Sequence, residues 1–152
     1  MNDIEKYILD LNWSKPESVQ KNAIKELSKI DENQVILLAQ QSDLCHKACW
    51  HNASIVLKSI GYPRNKLALP YLMNWFQDAN WPGVQNIVQL FKEIDVIVLL
   101  PHIKNAMKQA LRENDETWAY GIVYLIQELG FQSLGLDEGE IYKSLKKIAD
   151  IE

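Results

Sequence analysis

The sequence predicts an all-α protein, one domain over residues 1–152 stacked from about four helical hairpins, and three observations carry that expectation. Glycine and proline are sparse, at six and five residues, and the apolar residues between them recur at three- and four-residue intervals instead of alternating. Aligning the longer helices by their ends gives the column Ile30, Ile60, Ile94, Leu129, with Leu27, Leu57, Phe91, Ile126 three positions earlier and Ala23, Ala53, Ile87, Ile122 seven positions earlier. The period is about 34 residues, the size of a helical-hairpin repeat. Finally, "D-L-N-W" at 10–13 returns as "D-A-N-W" at 78–81, two such periods on.

The elements follow in order. A first helix is expected over Ser14–Ile30, with Ser14 as cap, Pro16 in the first turn and Glu17 completing a capping box. Its apolar stripe is Val19, Ala23, Ile24, Leu27 and Ile30, and a short helix over 34–41 closes a hairpin of about 14–43. The second hairpin, about 46–78, opens with a helix ending at Gly61, a residue free to enter left-handed backbone, with Pro63 beyond it. A helix over 66–77 returns. The third, about 81–112, combines helices over 82–94 and 98–112, and the fourth, about 116–150, combines 116–129, stopped at Gly130, with 138–149.

"L-P-Y-L" at 69–72 and "L-P-H-I" at 100–103 each put a proline where only a helix start tolerates one, so both return helices should begin alike. Trp13, Trp50, Trp81 and Trp118 stand at or near the heads of the four longer helices. A stacked hairpin cannot bury its apolar stripe alone, and a large ring at each head would plug the joint with its neighbour. In the two D-x-N-W turns the Asn would cap the coming helix. Trp75 falls outside this series, on a return helix.

Composition narrows the function. Apolar residues make up 47% and charged residues 24%, as in an average soluble domain, and the formal charge is −4. Proteins that live on duplex nucleic acid usually carry a strong positive excess to displace counterions, so nucleic acid is a poor match. Cys45 and Cys49 lie four residues apart on one expected helix, which suits a reducing compartment. The first ten residues lack the basic lead and apolar run of a secretory signal, and the longest apolar runs, Val35–Ala39 and Val96–Leu100, are too short to span a bilayer. A cytoplasmic protein without membrane contact is the expectation.

The stretch "G-Y-P-R-N-K-L-A-L-P-Y-L-M-N-W-F-Q-D-A-N-W-P-G-V" at 61–84 carries a resemblance. It is similar to an uncharacterised, mainly bacterial family of small proteins built around domain of unknown function 5071. The matching positions are Leu69, Pro70, Leu72, Trp75, Gln77, Asp78, Asn80, Trp81, Pro82 and Gly83, with "C-W-x-N-A" at Cys49, Trp50, Asn52 and Ala53 and "I-G-Y-P" at 60–63 in support. The resemblance spans about residues 10 to 130. More distantly the hairpins resemble HEAT-like, armadillo-type repeats, which implies a right-handed α-α superhelix. The family brings no assigned chemistry, and no catalytic residue, metal or cofactor is carried over.

The residues themselves offer several candidate sites. In "C-H-K-A-C-W-H", Cys45 and Cys49 share a helix face while His46 and His51 point elsewhere, which is too few convergent ligands for zinc; a buried Cys49 and a helix-start Cys45 explain them better. Asp115 and Glu116, like Asp137, Glu138 and Glu140, stand at helix starts, where negative charge complements the dipole. The return-helix layer is the one face to pursue. Its polar positions include Gln77, Lys104, Asn105, Lys108, Gln109, Arg112, Lys143, Lys146 and Lys147.

The expectation is a non-enzymatic scaffold that binds another protein, one bearing acidic groups. Trp75, Gln77, Asp78, Lys104, Asn105, Lys108 and Arg112 are the candidate contacts. Neutralising a toxin, as immunity proteins do, is a specific form of that role suggested by size and charge. The rival is an enzyme or nucleic-acid-binding protein using a Trp/Asp/Lys cleft, as in HEAT-like DNA glycosylases; it requires Trp75 and Trp81 to flank an open pocket.

Overall fold

The computed structural model describes residues 2–130 and 139–151, and among these every regular element is helical. The α-helices are α1 (Asp3–Leu9), α2 (Glu17–Leu27), α3 (Ile36–Ala39), α4 (Lys47–Ile60), α5 (Leu69–Leu72), α6 (Val84–Lys92), α7 (Val96–Glu113), α8 (Glu116–Leu129) and α9 (Glu140–Ile148). Short 3-10 turns occupy Glu32–Gln34, Lys66–Ala68 and Met73–Gln77. The boundaries of α4, α6, α7 and α8 and the end of α9 fall within about two residues of those expected from periodicity, whereas α2 is three residues shorter at each end than the expected Ser14–Ile30. Gly61 ends α4 at φ 75° and Gly130 ends α8 at φ 90°, the positive backbone angles for which glycine alone carries little penalty.

Several local expectations are corrected. Helix α1 was not foreseen; Asn2 starts it by accepting from the Glu5 amide at 2.8 Å. Ser14 and Glu17 form no capping box: α2 begins at Glu17 behind Pro16, and Glu17 pairs along the helix with Lys21 at 2.9 Å. The two prolines do not mark like helix starts. Pro101 lies inside α7, because Asp95 caps that helix earlier by accepting from Ile97 N at 2.9 Å, while the segment expected as one helix over 66–77 is mostly 3-10 around a four-residue α5. Asp137, Glu138 and the expected start of the last helix lie outside the described residues.

The chain packs as two compact units, Met1–Leu72 with Pro82–Leu90, and Met73–Trp81 with Phe91–Glu152, so it passes between them three times. In the first, α1, α2 and α4 pack on one another and α3 lies against α4 and α5. Ile8, Leu11, Ala23, Leu27, Leu38, Val56 and Leu57 form its core. Asn52 is a buried polar residue there, and its Nδ2 donates both to Leu11 O at 2.7 Å and to Gln20 Oε1 at 2.9 Å. Arg64 holds the turn that follows α2 by donating to Ile30 O at 3.0 Å.

In the second unit α7, α8 and α9 pack together, with Met73–Gln77 against α7 and α8. Leu99, Ile103, Met107, Trp118, Ile122, Leu125 and Leu145 are buried. Trp118 Nε1 donates to Met73 O at 3.1 Å, giving the indole the polar partner a buried tryptophan needs. Gly121 lets α8 touch the backbone of the preceding turn: a Cβ at that position would fall on the carbonyl of Phe76.

The tryptophans divide. Trp118 and Trp50 are buried, and Trp50 Nε1 donates to Cys45 O at 2.8 Å. Trp81 is half-buried. Trp13 is 51% exposed, so the expectation that every head indole plugs a joint is wrong for the first of them. Its backbone is held by Ala48 O and Gln20, which fixes the turn without drawing in the ring.

Candidate functional site

Helix α7 is the longest described element, 18 residues, and its two ends are set locally by the Asp95 cap and by Asn114 in left-handed backbone at φ 50°. At 100° per residue, Leu99, Ile103, Ala106, Met107 and Ala110 share one side, and all are buried. On the opposite side Ile97, Pro101, Lys104, Asn105, Lys108 and Arg112 fall within a stripe about 100° wide, and all are exposed. Four of the seven expected contact residues therefore share one face.

Charge on this face is uncompensated. Among the described residues Lys104, Lys108 and Arg112 have no ion-pair partner, although Lys15, Lys21, Lys29, Lys92 and Lys143 all do. Lys104, Lys108 and Arg112 also follow one another at i, i+4 spacing, where like charges disfavour a helix by a few tenths of a kcal/mol per pair. Stability does not account for that arrangement. Ile97, at the head of the same stripe, is 76% exposed, the most exposed large apolar residue among those described.

The other three expected contacts lie elsewhere. Trp75 is 0% exposed within the Met73–Gln77 turn, so it is a core residue and not part of a partner-facing surface. Sequence spacing places it on a return helix, but burial there was decided by packing against α7 and α8. Gln77 is half-buried at the end of the same turn. Asp78 lines a separate cleft of about 300 Å³ with Ala79, Asn80, Glu116, Thr117, Tyr120 and Ala149.

Apart from Glu116, read as a helix-start acid, the far wall of that cleft carried no sequence signal. Asp115 caps α8, accepting from Trp118 N at 3.0 Å and from the Thr117 hydroxyl at 3.0 Å, which leaves Glu116 one position on, facing the cleft. The lysines of α9 behave differently. Lys143, Lys146 and Lys147 line a shallow depression of about 390 Å³ at the C-terminal end of their helix, where cations complement the dipole; Lys143 pairs with Glu140 at 3.9 Å and Lys146 sits 5.8 Å from the Tyr142 ring centre.

The cysteine cluster is a packing feature. Cys45 and Cys49 are both buried, and the Cys45 thiol donates to Leu38 O at 3.6 Å. Burial pushes the Cys45 thiol up to about 12 and raises that of Cys49, so neither is a ready thiolate, although Cys49 Sγ lies 3.7 Å from His46 Nε2. Among the described residues no three His, Cys, Asp or Glu side chains are grouped to hold a metal ion. No helix among them is long and apolar enough to cross a membrane.

Fold and surface together define a protein that is helical throughout its described residues and carries an exposed basic side on one long helix. The chain belongs to the family described as Domain of unknown function (DUF5071), whose model matches residues 46–150. The match begins at the head of α4, later than the resemblance at residue 10 suggested, and runs on through α9. No curated protein and no solved structure matches the chain.

Proposed function

We propose that the protein is a non-enzymatic scaffold of HEAT-like hairpins, a right-handed α-α superhelix working in the cytoplasm, that binds an acidic surface of another protein through the outer face of α7. The observation that carries this reading is the stripe Lys104, Lys108 and Arg112, unpaired among the described residues and stacked at a spacing that works against helix stability. Ile97 supplies an apolar anchor about 22 Å from Arg112 along the axis. An acidic partner would relieve the repulsion on docking and be steered to it by charge. Masking a toxin is a narrower form of the same role. The competing cleft enzyme needs Trp75 at the surface, and Trp75 is buried.

The test compares the whole chain with a Lys104→Glu, Lys108→Glu, Arg112→Glu variant as immobilised baits in native extract at moderate salt. A partner of acidic character should be retained by the wild type and by Asp78→Ala, and lost from the triple variant. Equal retention by all three would remove α7 from the interface. Retention of labelled duplex DNA at physiological salt would replace the protein partner with nucleic acid.

A further inference from the structure

The cleft beside the Asp78–Asn80 turn is separate from the α7 stripe, and no α7 residue lines it. Its described walls come from the turn itself, from the first turns of α8 through Glu116, Thr117 and Tyr120, and from Ala149 just past the end of α9. Its volume of about 300 Å³ is that of a small ligand site, and far more than one water needs.

Three features decide what fits. The two ionisable acids on its walls, Asp78 and Glu116, have no ion-pair partner among the described residues, and none of the described lining residues is basic. An anion is excluded on that account. Tyr120 stands 53% exposed on the wall, an aromatic surface held in contact with water at the mouth of a polar cleft. Carboxylate oxygens as acceptors, an aromatic face and two alanines of little bulk suit a flat, delocalised cation better than a compact ammonium.

We infer that this cleft receives an arginine side chain from a partner polypeptide, its guanidinium between the Asp78 and Glu116 carboxylates and against the Tyr120 ring. Asp78 is pre-set for the role, because Oδ1 accepts the Asn80 amide at 2.8 Å and so fixes the carboxylate's direction. The inference is independent of the α7 reading: either surface can fail alone.

The experiment is an NMR titration of the whole chain, isotope-labelled, with N-acetyl-arginine amide, an uncharged side-chain isostere in the form of N-acetyl-citrulline amide, N-acetyl-lysine amide and free arginine. Saturable shifts at Asn80, Thr117 and Tyr120 are expected with the arginine amide. The citrulline amide should produce none, and the lysine amide and free arginine, whose carboxylate both acids repel, should bind more weakly. Tyr120→Ala and Glu116→Gln, both at exposed positions that leave the core intact, should each weaken binding about two- to fivefold. Equal shifts from the citrulline amide, no saturable shift from the arginine amide, or undiminished binding in the Tyr120→Ala, Glu116→Gln double variant would overturn the site. Tighter binding of the lysine amide or of free arginine would overturn the assignment to an arginine side chain.

Discussion

The same four-residue turn is used twice, closed in one place and open in the other. At 10–13 every residue is tied down: Asp10 pairs with Lys15 at 3.6 Å, Leu11 O accepts from Asn52, Asn12 Oδ1 accepts from Ser14 N at 2.8 Å, and Trp13 N donates to Ala48 O at 3.1 Å. At 78–81 the turn is bonded on itself, Asn80 N donating to Asp78 Oδ1 at 2.8 Å and Trp81 N to Asp78 O at 3.0 Å, and the Asp78 carboxylate lines a cleft whose described lining residues include no basic side chain. The indoles differ too, exposed in the closed copy and half-buried in the open one. A turn motif sets a local backbone shape, whereas the residues around it decide whether its charged group is spent on structure or left available.

The comparison can be broken hardest from the open side. Gly121→Ala puts a methyl on the Phe76 carbonyl and must push α8 off the turn that leads into Asp78. A loss of about 3 kcal/mol is expected in urea denaturation, since backbone cannot step aside as a flexible side chain can. Shifts concentrated at residues 73–81, with 10–13 unmoved, would sharpen the contrast; a neutral substitution would mean the close approach is not maintained in solution.

On the closed side, Asn52→Ala leaves Leu11 O buried without its donor and should cost about 1–3 kcal/mol. Amide exchange should quicken at residues 11–14 and stay unchanged at 78–81. If both turns loosen together, they are not independent.

The smallest effect is alkaline. Both cysteines lie at the head of α4, whose Ala48 carbonyl holds the closed turn. Because burial pushes the Cys45 thiol up to about 12 from an ordinary 9.0, the folded chain keeps a proton that the unfolded chain begins to lose. The contribution is whole below pH 9 and is lost as the pH climbs toward 12. Between pH 8 and 10 the wild type should lose about 1.4 kcal/mol more than Cys45→Ala, read as the difference in pH slope. Parallel slopes would show that the thiol is not held neutral by burial.

Much of the helical architecture was legible because its signals are local. The apolar columns ending at Ile30, Ile60, Ile94 and Leu129 sit at or just beyond the ends of α2, α4, α6 and α8, and Gly61 and Gly130 stop two of them. The Lys104, Asn105, Lys108, Arg112 face could be read the same way, from spacing along one helix. Trp13 and Trp75 were misplaced for the opposite reason: an indole at the head of a helix and one in the middle of a segment look alike in sequence. Their surroundings depend on distant segments: Ala48 holds the backbone of Trp13, and α7 and α8 pack on the turn that carries Trp75. The cleft was half legible, as Asp78 and Glu116, and its Tyr120 wall was not.

By itself the sequence determined where α4, α6, α7 and α8 begin and end, to within about two residues, and which side of each is apolar. Hydrogen bonds along a helix and the 3.6-residue period are properties of adjacent residues, so no distant contact is needed to set them. Only the tertiary structure decided that Asn52 reaches Leu11, that Gly121 admits the Phe76 backbone, that Trp75 is sealed in, and that Asp78 and Glu116 face one cleft. Cavities, buried polar pairs and uncompensated charges are made between segments far apart in the chain, and their positions exist only once those segments have packed.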